Sequence, residues 1–274
     1  MIRSHYLEPQ IVQLNRLKPP LKWAGGKRWL VPKLQSLWQQ NPQQRLVEPF
    51  SGGLAVSLGL MPQTALLNDI NPHLINFYHW LQRGLVFEIE LRYERSLFLE
   101  HRTRFNDLVH KKLEQTKEAA ELFFYLNRTG FNGLCRFNRS GEFNVPFGKY
   151  TNITYPKNLL EYRYYLASWV FTVDDFSAMN IEPNDLIYAD PPYDVEFTSY
   201  NAGGFSWNDQ LRLAIWLKAH PGTVIASNQA TPRIIELYSD LGFQITIVDA
   251  PRRISCDGNR ATAREILAMK TILD

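Results

Sequence analysis

Asp190-Pro191-Pro192-Tyr193 closes the apolar run Leu186-Ile187-Tyr188-Ala189, so a carboxylate, two prolines and an aromatic ring fall where a buried strand breaks into a loop. Proline has no backbone N–H and pushes the residue before it out of the helical region. The loop is therefore stiff, and its carbonyls and the Asp190 side chain are left to accept hydrogen bonds. A flat, amine-bearing group suits that corner, its N–H bonds held by the acceptors and its face stacked on Tyr193. The amino group of a nucleobase is such a group. Open α/β sheets bind ligands at the carboxyl ends of their strands, so position and chemistry agree.

Two further segments bear on a ligand. Phe50-Ser51-Gly52-Gly53 follows a short apolar strand, and glycines there permit a tight turn and close approach of a ligand to backbone. The three spaced glycines of the dinucleotide fingerprint are absent, and the glycines alone equally fit a helix-packing turn. Asp69-Ile70, ending the next strand, adds an acid where such units accept hydrogen bonds from ribose hydroxyls. Together they predict a ligand containing a nucleoside. Trp23-Ala24-Gly25-Gly26-Lys27 fails as a phosphate loop, because Arg28 stands where Ser or Thr is needed and no strand precedes it. A turn opening a helix, with Lys27 offered to a carboxylate, is the better reading. Ser227-Asn228-Gln229, ending another strand, is placed to line a base pocket.

Asn127-Arg128-Thr129-Gly130-Phe131-Asn132-Gly133-Leu134-Cys135-Arg136-Phe137-Asn138 interleaves base-sized aromatics with hydrogen-bonding forks. Arginine can contact guanine bidentately in the major groove, and an aromatic can wedge into the space of a displaced base. Between His101 and Arg163 eleven Lys/Arg face six Asp/Glu, so this stretch carries +5 and the remainder −2 of a net +3. A polyanion meets the middle of the chain first. Arg252-Arg253-Ile254-Ser255 and Asp257-Gly258-Asn259-Arg260 add a polar loop suited to phosphate contact or to a plain hairpin.

The elements that must position these groups follow an α/β rhythm. Residues 1–20 read as an extended lead-in, and Lys27 to Gln40 as a helix. A strand over Arg45–Phe50 leads through the glycine turn into a helix starting near Leu54, then a strand over Thr64–Leu67. Leu74 to Leu126 is mostly helical, and Asn127–Tyr155 loses periodicity. Strands are predicted at Trp169–Val173, Asp185–Tyr188, Thr223–Ser227, Gln244–Val248 and Glu265–Met269, helices preceding the second, third and fourth of these. Residues 1–75 and 169–274 thus form a catalytic domain, and 76–168 an inserted module.

Two cysteines, Cys135 and Cys256, are too few for a disulfide framework and lack metal-ligand spacing, so no metal is expected. With no apolar leader and no run approaching a membrane span, the expectation is a cytoplasmic, membrane-free protein, and monomeric action is the default.

The combined motifs resemble the adenine-N6 DNA methyltransferases of the Dam family, which act at GATC. The resemblance covers Leu21 to Leu267 and rests on the stretches at 21–27, 47–53, 68–71, 127–138 and 141–150, the Asp-Pro-Pro-Tyr loop, and Arg-Arg-Ile-Ser followed by Asn-Arg. The motif order, with the insert between glycine turn and catalytic loop, is that of the family's α group. It implies a Rossmann-like S-adenosylmethionine-dependent methyltransferase sheet with an inserted, mainly helical DNA target-recognition domain, and double-stranded DNA as partner. It implies that Trp23, Lys27, Phe50, Asp69 and Asp190 bind S-adenosylmethionine, with Ala24, Gly25, Ser51, Gly52, Ile70, Asp175 and Phe176 completing that site. Asp190, Pro191, Pro192 and Tyr193 would hold and stack a flipped adenine. Arg136 would read guanine, Phe131 and Asn132 would enter the duplex where adenine has left, and Leu134 and Pro146 would contact bases. Arg128, Asn138, Lys149, Arg252, Asn259 and Arg260 would complete the DNA surface. Phe131 and Phe137 stand where the family often has tyrosine, and Lys149 where arginine is common, which removes bidentate geometry there. RNA or a protein amide as substrate, or a silent DNA-binding protein on this scaffold, are the rival readings.

Overall fold

The computed structural model describes residues 17–40, 44–156, 159–193, 204–251 and 263–271. Its centre is a seven-stranded sheet built from β1 (Leu46–Glu48), β2 (Ala65–Asn68), β3 (Trp169–Thr172), β4 (Leu186–Ala189), β5 (Val224–Gln229), β6 (Gln244–Ala250) and β7 (Ala263–Lys270). The strand order is β3-β2-β1-β4-β5-β7-β6, parallel except where β7 runs against β5 and β6. Order reverses between β1 and β4, which pair through Leu46↔Leu186 and Val47↔Ile187. That junction is the switch point at which such sheets open a crevice.

Strand side chains alternate between two cores, as a period of two requires. Leu46, Leu67, Leu186, Tyr188, Ile225 and Leu267 face one, and Val47, Leu66, Ile187, Ala189, Val224 and Ile266 the other. The second core is covered by α7 (Trp207–Ala219) and α8 (Pro232–Asp240). The first is covered by α1 (Val31–Trp38) and α3 (Pro72–Arg83) and continues without a break into α4 (Arg95–His110) and α5 (Lys117–Thr129). Phe77 of α3 stacks on Phe124 of α5 at 5.6 Å, so the middle of the chain and the sheet share one apolar interior. Helix α6 (Leu160–Leu166) returns the chain to β3.

Three expectations need correction. The helix expected from Leu54 is only α2 (Ser57–Leu60), because Leu54 itself takes a left-handed φ of 60° and prolongs the glycine turn. The helix expected over Lys27–Gln40 begins at Val31, since Lys27 to Leu30 form a turn that carries Lys27 inward. No helix precedes β4: the link from β3 holds one 3₁₀ turn, Phe176–Ala178.

Candidate active site

The two halves of the site come from the strand ends flanking the switch point. After β1 the chain turns through Ser51-Gly52-Gly53, with φ +44° at Gly52. A Cβ on Gly52 would lie 2.7 Å from Trp23 Nε1, and one on Gly53 2.7 Å from Trp23 Cβ, so only glycine lets the indole lie on this turn. The Gly52 N–H donates to Asp69 Oδ2 at 3.1 Å, and the Asn71 N–H to Asp69 Oδ1 at 3.0 Å. Burial raises the Asp69 pKa, and these two N–H groups oppose the shift. Beneath, buried Asn68 donates to the Pro49 and Asp174 carbonyls and accepts from the Asp174 N–H and Thr172 hydroxyl, tying the ends of β1, β2 and β3 together.

Across the switch point, β4 delivers Asp190. Its Oδ2 lies 3.0 Å from Lys27 Nζ, and its Oδ1 accepts from Ser227 Oγ of β5 at 2.8 Å. Lys27 is only 3% exposed, donates to the Gly25 carbonyl at 2.8 Å, and stands 4.8 Å from the Tyr193 ring centroid. Burial raises the Asp190 pKa against the pull of Lys27 and the Ser227 hydroxyl. Gln210 of α7 donates to the Pro192 carbonyl and accepts from Asn228, fixing the proline pair from behind. The Lys27–carboxylate pairing expected from sequence is present. So is the position of Ser227 beside the acidic loop.

Between the halves lies a cavity of about 450 Å³. Trp23, Ala24, Gly25, Lys27, Phe50, Ser51, Gly52, Asp69, Ile70, Asp190, Pro191, Pro192 and Tyr193 all line it. Asp175 and Phe176 do not. Asp175 is exposed and accepts from Ser177 and Arg212, while Phe176 lies behind Phe50 at 5.9 Å between ring centroids.

The residue sequence reasoning missed is Glu48, which also lines the cavity at 2% exposure. Its Oε1 has no hydrogen-bond partner among the described residues. Burial pushes its pKa up to about 8, hydrogen bonding from Ser57 pulls down, and Asp190 pushes further up. A signal was present: Glu48-Pro49 repeats at the end of β1 the acid–proline pattern of Asp190-Pro191 at the end of β4. Asp190 at 3.0 Å and Glu265 at 3.9 Å both face the buried Lys27, and Glu48 lines the same cavity.

The candidate DNA residues divide by exposure. Phe131 is 43% exposed, and Arg136, Pro146 and Lys149 are exposed with it. They sit on a hairpin bridged by Gly130↔Phe147 and Phe137↔Phe143. Asn132 takes φ 53°, and Leu134 packs against the core. Arg128 turns inward and donates to the Thr154 carbonyl, and Asn138 is spent on its own turn with Ser140 and Glu142. Arg252, Asn259 and Arg260 lie outside the described residues.

Residues 23–254 match the model of the D12 class N6 adenine-specific DNA methyltransferases. The chain belongs to that family. It is 36% identical over 273 residues to a DNA adenine methylase of Vibrio cholerae, covering 92% of this chain and 95% of that one. It is 38% identical to a DNA N-6-adenine-methyltransferase of Escherichia phage P1, over 90% of this chain and 35% of the phage protein. A type II methyltransferase of Lactococcus lactis, M1.LlaDCHI, is 34% identical over 88% of this chain and 92% of its own. Among solved structures, a magnesium protoporphyrin IX methyltransferase from Synechocystis aligns at TM-score 0.37 and 10% identity, covering 90% of this chain and 80% of that one. The protein is an adenine-specific DNA methyltransferase, and S-adenosylmethionine is its methyl donor. No helix among the described residues is long and apolar enough to cross a membrane.

Proposed function

We propose that this methyltransferase acts as a monomer in the bacterial cytoplasm, methylating the adenine of GATC in duplex DNA after extruding it from the stack. The observation that carries the reading is the Lys27–Asp190–Ser227 arrangement, which opens on the same cavity as the glycine turn and Asp69. S-adenosylmethionine supplies an electrophilic sulfonium methyl. Trp23, the Gly52 turn and Asp69 would hold its nucleoside, with the remaining lone pairs of Asp69 meeting the ribose hydroxyls. The orphaned, buried Oε1 of Glu48 fits a ligand bearing positive charge.

The N6 amine of adenine is a weak nucleophile because its lone pair is delocalised into the ring. Asp190 and the Pro191 carbonyl, accepting its two N–H bonds, favour a localised lone pair aimed at the donor. Lys27 and Ser227 hold Asp190 rigid for that task, so catalysis is orientation and preorganised electrostatics. Extrusion costs a few kcal/mol, which stacking on Tyr193 and filling by Phe131 offset in part. Arg136 reads guanine, and Leu134 and Pro146 contact neighbouring bases. Residues 76–168, spanning most of α3 through α6, act as the recognition module, while Asp175 and Phe176 support the site from outside the cavity. Transfer of labelled methyl to duplexes altered one base at a time within GATC tests this reading. It predicts transfer to GATC alone at full rate. Equal transfer to the altered duplexes, or preference for RNA, would overturn it.

A further inference from the structure

Arg136 does not hang free on the recognition hairpin. Its Nε donates to Asn144 Oδ1 at 2.7 Å, and its Nη2 to the Asn144 carbonyl at 3.1 Å, while the Asn144 N–H donates back to the Arg136 carbonyl at 3.2 Å. A guanidinium carries five N–H bonds in a fixed fork. Asn144 takes one on Nε and one on Nη2, which leaves the outer Nη1/Nη2 edge with two parallel donors. That edge is the one able to meet O6 and N7 of guanine together. The support is itself anchored. Asn106 of α4 exchanges hydrogen bonds with the N–H and carbonyl of Phe143 at 2.8 and 3.3 Å, and Arg102 donates to the Val145 carbonyl at 3.3 Å. Phe143 is 1% exposed and Val145 0%, so both neighbours of Asn144 are fixed in the core.

We infer that Asn144 is a specificity-determining positioning residue, holding the Arg136 guanidinium side-on so that its outer edge is presented to guanine before DNA arrives. The inference rests on Arg136 as the guanine reader and deepens that reading. A long arginine otherwise loses rotamer freedom on binding, and that cost falls only on the cognate complex, where the fork is locked. Asn144 therefore acts on the ratio between cognate and altered duplexes. A side chain that merely touched phosphate would weaken every duplex alike.

The test compares kcat/KM on GATC with kcat/KM on a duplex altered at the guanine that Arg136 reads. It uses the full chain and the variants Asn144→Ala, Asn144→Asp, Arg136→Ala and the Asn144→Ala/Arg136→Ala pair, with thermal midpoints as a folding control. Asn144→Ala should lower the ratio by about 3- to 10-fold, the scale of ordering one long side chain. Asn144→Asp keeps the Oδ1 acceptor and should keep the ratio, although its charge raises KM on all duplexes. In the Arg136→Ala background Asn144→Ala should change the ratio no further. A uniform loss on both duplexes with the ratio intact, or an equal loss of ratio with and without Arg136, overturns the inference. If Arg136→Ala itself leaves the ratio unchanged, the reading of Arg136 fails and the inference fails with it. Loss of ratio in Arg136→Ala alone sinks only the role of Asn144.

Discussion

Replacing Lys27 by Met removes the buried cation that faces Asp190 and Glu265, at 3.0 and 3.9 Å, while keeping much of its volume. At 3.0 Å and an effective dielectric near 20, the attraction to Asp190 alone is about 5 kcal/mol before desolvation is subtracted. Breaking a buried pair by deleting one partner costs about 3–5 kcal/mol, because the other charge is left uncompensated. The Asp190 side chain is 20% exposed, so water screens part of that charge and the lower end, about 3 kcal/mol, is the expected loss. The loss must depend on pH. Burial already raises the Asp190 pKa above its ordinary 3.8, and without Lys27 it rises further. A carboxyl raised on folding contributes stability that is present below its unfolded pKa and lost as pH climbs through the folded one. Urea unfolding should therefore show a smaller difference from the wild type at acidic pH than at alkaline pH. Adding Asp190→Asn to Lys27→Met should recover about 1 kcal/mol or more at the higher pH. An equal loss at both pH values, with strictly additive effects in the double variant, would refute the electrostatic account of this corner.

Glu48→Gln should flatten the fall in wild-type stability between pH 4.5 and about 8, and should stabilise the ligand-free protein above that window, as read by thermal melts across pH. The ceiling on that gain is about 5 kcal/mol at 1.36 kcal/mol per pKa unit. The same variant should weaken S-adenosylmethionine binding in calorimetry, and unchanged affinity would remove Glu48 from the donor site. Gly53→Ala places a methyl 2.7 Å from Trp23 Cβ. It should cost about 1–3 kcal/mol of stability and at least about tenfold in cofactor affinity; an unchanged Kd argues against Trp23 as a wall of that site. Arg136→Ala should reduce discrimination at its guanine by about 1–3 kcal/mol, measured as the ratio of kcat/KM on cognate and altered duplexes.

Much of this was legible in the sequence because local chemistry and tertiary position coincide. The Asp-Pro-Pro-Tyr loop, the glycine turn and Asp69 each follow a short apolar run, and strands β1, β2 and β4 end within a residue or two of where those runs stop. Lys27 could be assigned a carboxylate partner by elimination of the phosphate-loop reading. Side-chain partnerships were less accessible. The unpartnered Glu48 Oε1 depends on which strand lies beside which, and the Arg136–Asn144 contact on the register of a short hairpin, neither of which periodicity encodes. Arg128 stands in a motif dense with base-reading types, yet the last turn of α5 sets its guanidinium against the Thr154 carbonyl instead. The missing helix before β4 has a similar cause. A short link with one 3₁₀ turn suffices to carry the chain from β3 across the switch point to β4, and packing rather than propensity set its course.

The most direct measurement is single-turnover methyl transfer from labelled S-adenosylmethionine to a GATC duplex, with the product digested to nucleosides, for the wild type and for Asp190→Ala. The label should appear in N6-methyladenine with the wild type and in no nucleoside with the variant, while the variant keeps its cooperative unfolding. Transfer at the wild-type rate by Asp190→Ala, or label carried by another base, would contradict the claim that this acidic corner holds the reacting amine.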